Sequence, residues 1–169
     1  FEFGAFKRVI DEGVAEGMCS IGLNGVNEPL IRPDLPDFAA YAREKGVLDV
    51  FVFTNGMLLS GEMAKRLIGA GVTRLMVSID AVTQETYDNI RIGGNLEKVK
   101  SNIFRFLELR SAANKRLPLL AVNFCRMPEN EHELDSFIDA WRPHVDFFDI
   151  QTLIDVSHAV EGMQGICDA

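Results

Sequence analysis

The stretch Asp49-Val50-Phe51-Val52-Phe53-Thr54-Asn55-Gly56, answered further on by Arg74-Leu75-Met76-Val77-Ser78-Ile79-Asp80, decides the fold. Each run is apolar with little polar alternation, and each stops at small polar residues. Strands of that kind belong to parallel sheets covered by helices. Between the runs, Ser60 can cap a helix that ends near Gly69 or Gly71. The unit therefore reads as strand, helix, strand.

The same rhythm extends in both directions. Upstream, Phe3, Phe6, Ile10 and Val14 predict a helix over 3–16, and Met18 to Leu23 predict a short strand. Asp34, with Asp37 three residues on, predicts a capped helix through Lys45 with Gly46 at its end. Downstream, a short helix is expected from Thr83 to Ile90, for which Asp80 can serve as N-cap. Asn95 opens a long helix with Leu96, Val99, Ile103, Phe106 and Leu107 on one face. Leu119 to Phe124 reads as a strand. Asn130 with Glu133 reads as a capping box for a helix through Trp141. Phe147 to Gln151 is the last strand.

Five strands separated by helices, joined by right-handed crossovers, put the helices outside a curling sheet. The expected fold class is α/β: a partial (β/α)6 TIM-like barrel with a parallel sheet of about five strands and helices outside. A doubly wound sheet is the alternative. The barrel is expected over residues 1–155. Residues 156–169 read as a tail leading toward a further C-terminal domain.

Composition narrows the function. The 169 residues are 47% hydrophobic and 25% charged, with net charge −8. Nucleic acid and anionic membranes call for clustered Lys and Arg, so neither is an expected partner. The longest apolar stretches fall far short of the ~20 residues that span a bilayer. The three cysteines, Cys19, Cys125 and Cys167, are odd in number and widely spaced. That suits a reducing, cytoplasmic compartment, with Cys19 and Cys125 expected as core thiols. His132, His144 and His158 show no metal-ligand spacing.

Ligands of such sheets sit at the C-terminal ends of the strands. Here those ends carry Asn24 to Leu30, then Thr54-Asn55-Gly56, then Ser78-Ile79-Asp80, then Asn123 and Arg126, and finally Gln151. A free amino group wants a carboxylate, ribose hydroxyls want Asn, Ser or Asp, and an α-carboxylate wants Ser and a forked Arg. Glu28, Ser78, Asp80, Asn123 and Arg91 supply that set, which points to a zwitterionic ligand carrying a sugar. No Lys stands at a strand end to support aldolase-like chemistry.

Five segments carry a resemblance: Gly25-Val26-Asn27-Glu28-Pro29-Leu30; Thr54-Asn55-Gly56 with Leu58-Leu59; Val77-Ser78-Ile79-Asp80; Tyr87 to Arg91 with Gly93-Gly94-Asn95; and Asn123 to Met127. Together they resemble the radical S-adenosylmethionine (SAM) superfamily, most closely the branch with a cysteine-rich auxiliary-cluster (SPASM) domain. The resemblance runs from Phe3 to Asp155. It implies reductive cleavage of SAM to a 5′-deoxyadenosyl radical. It also implies a small-molecule or peptide substrate and a reductant such as flavodoxin or ferredoxin.

Residue by residue, the resemblance implies that Asn27, Glu28 and Pro29 match the Gly-Gly-Glu-Pro motif that holds the SAM amino group, with Val and Asn replacing its glycines. Ser78 and Arg91 match positions at the SAM carboxylate. Asp80 and Asn123 match polar positions near the ribose, and Thr54 and Asn55 match the turn lining the pocket. Met127 falls near the adenine, and Cys167 can begin the auxiliary-domain cysteines. The family's Cys-x3-Cys-x2-Cys loop, which binds the 4Fe–4S cluster, is absent from these residues. The chain is therefore expected to be a fragment, inactive by itself, with an exposed strand edge that favours self-association. A non-catalytic radical-SAM-like binding or scaffold module is the alternative.

Overall fold

The computed structural model describes residues 2–25 and 27–153. The expected tail over 156–169, with His158 and Cys167, lies outside the described residues. Five strands form one sheet: β1 (Ser20–Gly22), β2 (Asp49–Thr54), β3 (Arg74–Ser78), β4 (Leu119–Arg126) and β5 (Phe147–Thr152). Every neighbouring pair is parallel, and the spatial order equals the chain order. The helices are α1 (Phe3–Ala15), α2 (Leu35–Glu44), α3 (Gly61–Ala70), α4 (Gln84–Ile90), α5 (Leu96–Ala112) and α6 (Leu134–Trp141). Sequential order with right-handed crossovers places all helices on one face, as in part of a barrel. A doubly wound sheet would reverse its strand order.

The strands alternate between the two faces. In β2, Val50, Val52 and Thr54 are buried, while Asp49, Phe51 and Phe53 are only half-buried. The buried set meets Leu67, Ile103, Phe106 and Phe137 in one core with Leu75, Val77, Leu120, Val122 and Phe124. Each such side chain contributes about 1.5–3 kcal/mol on burial. On the other, concave face Phe51, Phe53 and Ser78 are half-buried, while Met76, Ala121 and Asn123 are buried. There the register aligns Met76 with Ala121 and Phe147, and one layer higher Ser78 with Asn123 and Asp149.

Local signals account for three helix starts. Ser60 accepts from Met63 N at 3.2 Å, Thr83 from Thr86 N at 3.2 Å and Asn95 from Lys98 N at 2.8 Å. Gly71, at φ 81°, closes α3 in the left-handed conformation.

Several expectations are corrected. Thr83, not Asp80, caps α4. Asp34 stands before α2 but makes no cap bond, because its carboxylate is taken by Arg32 at 2.8 Å. Asn130 and Glu133 form no capping box; both side chains reach the β3–α4 loop instead. Cys19 is exposed and Cys125 half-buried, so neither is a core thiol. Cys19 lies just before β1, which pairs on one side only among the described residues. No described helix is long and apolar enough to cross a membrane.

At the N-terminal end of the sheet, Asp49 ties three strands together. It accepts from Ser20 Oγ at 2.7 Å, Thr73 Oγ1 at 2.7 Å, and Arg74 Nε and Nη2 at 3.0 and 2.5 Å. The Arg74 guanidinium, helped by the two hydroxyls and opposed by partial burial, holds its carboxyl well below the usual carboxylate range. A carboxyl with a lowered folded-state pKa stabilises above its unfolded value, about 3.9, and loses that contribution as pH falls below it. Asp49→Asn is expected to cost about 2 kcal/mol at pH 7 in urea unfolding, and progressively less as the pH falls below about 4.

Candidate functional site

The C-terminal ends of β1, β2 and β3 and the end of α4 enclose a polar cleft of about 240 Å³. Asn27, Glu28, Pro29, Thr54, Asn55, Ser78 and Arg91 all line it, with Asn24, Gly25 and Phe53. Seven of the nine residues expected from the sequence are thus brought together from four separate segments. Asp80 and Asn123 are not on its wall.

Glu28 organises the floor. Its carboxylate accepts from Leu30 N at 3.0 Å, Thr54 Oγ1 at 2.6 Å and Asn55 N at 2.7 Å. A carboxylate offers about four acceptor positions, so roughly one remains for a ligand. Thr54 Oγ1 in turn accepts from Gly56 N at 3.0 Å. Gly56 sits at φ 75°, and a Cβ there would lie 2.9 Å from Val77, so the turn needs glycine. Asn102 of α5 fixes the same turn by donating to Gly56 O at 2.8 Å.

Asp80 lies behind the cleft, with its side chain 3% exposed. It holds φ at 64°, a conformation Asp tolerates better than most residues. Its Oδ1 accepts from Cys125 N at 2.7 Å, and its Oδ2 accepts from Arg91 Nε at 2.9 Å and also from Nη2. The carboxylate is therefore a clamp on Arg91 and on the end of β4. Burial, with the Asp80 charge second, pushes the Cys125 thiol up. Arg91 keeps Nη1 free of Asp80 and remains 28% exposed toward the cleft. Ser78 Oγ makes no hydrogen bond to any described residue, and it too faces the cleft. Asn123 Nδ2 donates to Asp149 Oδ2 at 3.1 Å, on the concave face.

Sequence reasoning missed the residues that hold this wall. Asn130 Nδ2 donates to Asp80 O and Cys125 O, both at 2.9 Å. Glu133 accepts from Val82 N at 2.5 Å, Thr83 Oγ1 at 2.6 Å and Thr86 Oγ1 at 2.8 Å. Although burial opposes ionisation, these donors hold the Glu133 carboxyl below its ordinary value. A second, larger hollow of about 540 Å³ lies between α1, β1 and α2, lined largely by apolar groups such as Phe6, Val9, Leu35 and Phe38. It adjoins the smaller cleft and shares Asn24, Gly25, Asn27, Glu28 and Pro29 with it, but Thr54, Asn55, Ser78 and Arg91 line the smaller cleft alone.

A family model described as the radical SAM superfamily matches residues 4–139. The chain belongs to the radical SAM superfamily. That superfamily uses SAM and a 4Fe–4S cluster. The chain is similar to a probable GTP 3′,8-cyclase of Methanococcus maripaludis, at 33% identity over 135 residues, covering 80% of this chain and 43% of that protein. It is also similar to an AdoMet-dependent heme synthase of Methanosarcina barkeri, at 43% over 98 residues, covering 57% and 28%. The radical SAM chain thus spans less than half the length of these relatives. Among solved structures, 2,3-dimethylmalate lyase, of the PEP mutase/isocitrate lyase superfamily, superposes with TM-score 0.60. It covers 95% of this chain and 59% of that one at 10% identity, which bears on the fold alone.

The radical SAM cleft fits SAM by its donor set. A hydroxyl and a guanidinium edge, both open, suit a carboxylate, and the remaining position on Glu28 suits an amino group. The cluster is a different matter. Cys19 stands at the N-terminal end of the sheet and Cys125 near its C-terminal end, so the two cannot share one cluster.

Proposed function

We infer that this chain is the SAM-holding part of a radical SAM enzyme that acts on a small-molecule or peptide substrate. The observation that carries this is the convergence of Asn27, Glu28, Thr54, Asn55, Ser78 and Arg91 on one cleft at the strand ends. Bound SAM would supply, on one-electron reductive cleavage, the group that abstracts hydrogen. The chain's own contribution is to bind and orient it. Ser78 Oγ and Arg91 would take the carboxylate, Glu28 the amino group, and the Asn55 turn the side of the ligand. Asp80 acts through Arg91, and Asn123 stands nearer the ribose side.

The two named relatives carry out unlike reactions, a GTP cyclisation and a heme synthesis, so the likeness supports the shared SAM cleft and not a particular substrate. The cluster, a flavodoxin- or ferredoxin-type reductant and a cytoplasmic setting belong to the same reading. The cluster's cysteines are supplied by polypeptide other than these residues. The 169-residue chain by itself is accordingly expected not to cleave SAM after treatment with iron, sulfide and dithionite. Release of 5′-deoxyadenosine by the purified chain would contradict that.

Calorimetric titration of SAM tests the cleft. Arg91→Ala is expected to weaken binding about 10- to 30-fold, the loss of one charge-assisted contact. An unchanged affinity would place the carboxylate elsewhere.

A further inference from the structure

Arg91 enters the SAM cleft from a turn, residues 91–94, that leads from α4 toward α5. Arg91 ends α4, its N–H donating to Tyr87 O at 2.7 Å, and Gly94 N closes the turn on Arg91 O at 2.9 Å. Just beyond, Leu96 N donates to Gln84 Oε1 at 3.2 Å, which ties the start of α5 back to α4. Ile92 in the turn is 92% exposed, so packing from outside does not set where the turn lies.

It is set from within. Tyr87 is 1% exposed and belongs to the core. A Cβ on Gly94 would lie 2.6 Å from Tyr87 Cε1, 3.0 Å from Tyr87 Oη and 3.0 Å from Arg91 O. Gly94 does not stand in the left-handed region. What glycine supplies there is room, which lets the backbone lie directly against the ring. A buried ring in a close-packed core cannot step aside, so a group added at Gly94 displaces the turn, and the turn begins at Arg91. The Arg91 guanidinium is held separately by Asp80, through Nε and Nη2. Two restraints therefore act on one arginine: Asp80 on its side chain, and the Tyr87–Gly94 contact on its backbone. Together they fix how far the guanidinium reaches into the cleft.

We propose that Tyr87 and Gly94 are positioning residues that act through Arg91 and make the cleft selective for a ligand carrying an α-carboxylate. Naming that ligand as SAM rests on the cleft assignment above. The restraint on Arg91 does not.

Calorimetry compares SAM with decarboxylated SAM, which keeps the amino group, the sulfonium and the adenosyl group. Gly94→Ala is expected to weaken SAM binding about 5- to 10-fold and that of the decarboxylated ligand less than about 2-fold. On an Arg91→Ala background the same change should cost nothing further, because both act on one contact. Tyr87→Leu removes the ring while leaving Gly94 intact; it should show the same pattern, and it serves where Gly94→Ala does not fold. Equal losses for the two ligands, or losses that add in the double variant, would overturn the proposal. The ligand-free chain gives an independent reading. The 15N signal of the Arg91 Nε–H, held by Asp80, should shift or broaden in Gly94→Ala and in Tyr87→Leu. An unchanged signal in both would overturn the positioning role. If the wild-type chain binds no SAM, the functional reading above fails, while the Arg91 signal still decides whether Tyr87 and Gly94 position this arginine.

Discussion

Glu28→Ala is expected to weaken SAM binding by about 100-fold and to destabilise the chain by about 3 kcal/mol. Three donors lose their acceptor at once: Leu30 N, Thr54 Oγ1 and Asn55 N. Thr54 is buried, so its hydroxyl cannot turn to water without disturbing the turn. A donor left without a partner costs about 1–3 kcal/mol, and the partial exposure of Asn55 keeps the sum at the lower end. The affinity loss has two parts, the amino-group acceptor and the shape of the Thr54–Gly56 turn, and about 2.7 kcal/mol corresponds to 100-fold. Glu28→Gln separates them. It keeps an oxygen for Thr54 but turns an amide donor toward Asn55 N, so stability should fall by about half as much. Calorimetry and urea unfolding on the same samples check both numbers. A Glu28→Ala chain of normal stability and normal affinity would remove Glu28 from the site.

Glu133→Ala should be the most destabilising single change at the back of the wall, by about 3–4 kcal/mol. Its carboxylate is buried and serves Val82 N and the hydroxyls of Thr83 and Thr86 from some fifty residues away. Removal leaves a buried N–H unpaired and a small void beside α4. Because α4 ends at Arg91, SAM affinity should fall as well, by about 10-fold. The pH dependence has a defined sign. The Glu133 carboxyl lies below its ordinary value, so its contribution is complete above about pH 5 and is lost as pH falls below about 4. The stability gap between wild type and Glu133→Ala should therefore narrow in acid. A gap that widens would contradict the hydrogen-bonding account.

The contrast between these two glutamates shows what could be read in advance. Glu28 was visible because its partners follow a fixed order of short segments, each at the end of its own strand. Glu133 was not visible, because Asn130 and Glu133 have the local spacing of a capping box. Both side chains instead satisfy the loop that holds Asp80 in its left-handed turn. A local pattern does not reveal whether a tertiary partner outcompetes the helix end. Asp34 repeats the lesson, its carboxylate captured by Arg32 two residues earlier.

The sheet itself was legible from apolar runs and polar turns, and from caps such as Ser60 and Asn95. The exposure of Cys19 is not legible in its apolar neighbours, although the exposed strand edge expected from the sequence is that of β1, which pairs on one side only among the described residues. Asp149 left a usable signal. In Phe147-Phe148-Asp149-Ile150-Gln151 the two polar residues are two apart, which puts them on one face of a strand. Read only by its last residue, β5 yielded Gln151 and hid the carboxylate beside it.

Seven expected residues line one small cleft, and three of them, Asn27, Glu28 and Pro29, also border the larger apolar hollow beside β1. The most direct measurement is a titration of unlabelled SAM into the 15N-labelled chain, followed by backbone amide shifts. Saturable changes are expected, concentrated at Asn55, Ser78 and Arg91, which line the small cleft alone. Changes confined to Phe6, Val9, Leu35 and Phe38, or a folded chain that shows none, would contradict the SAM cleft assignment.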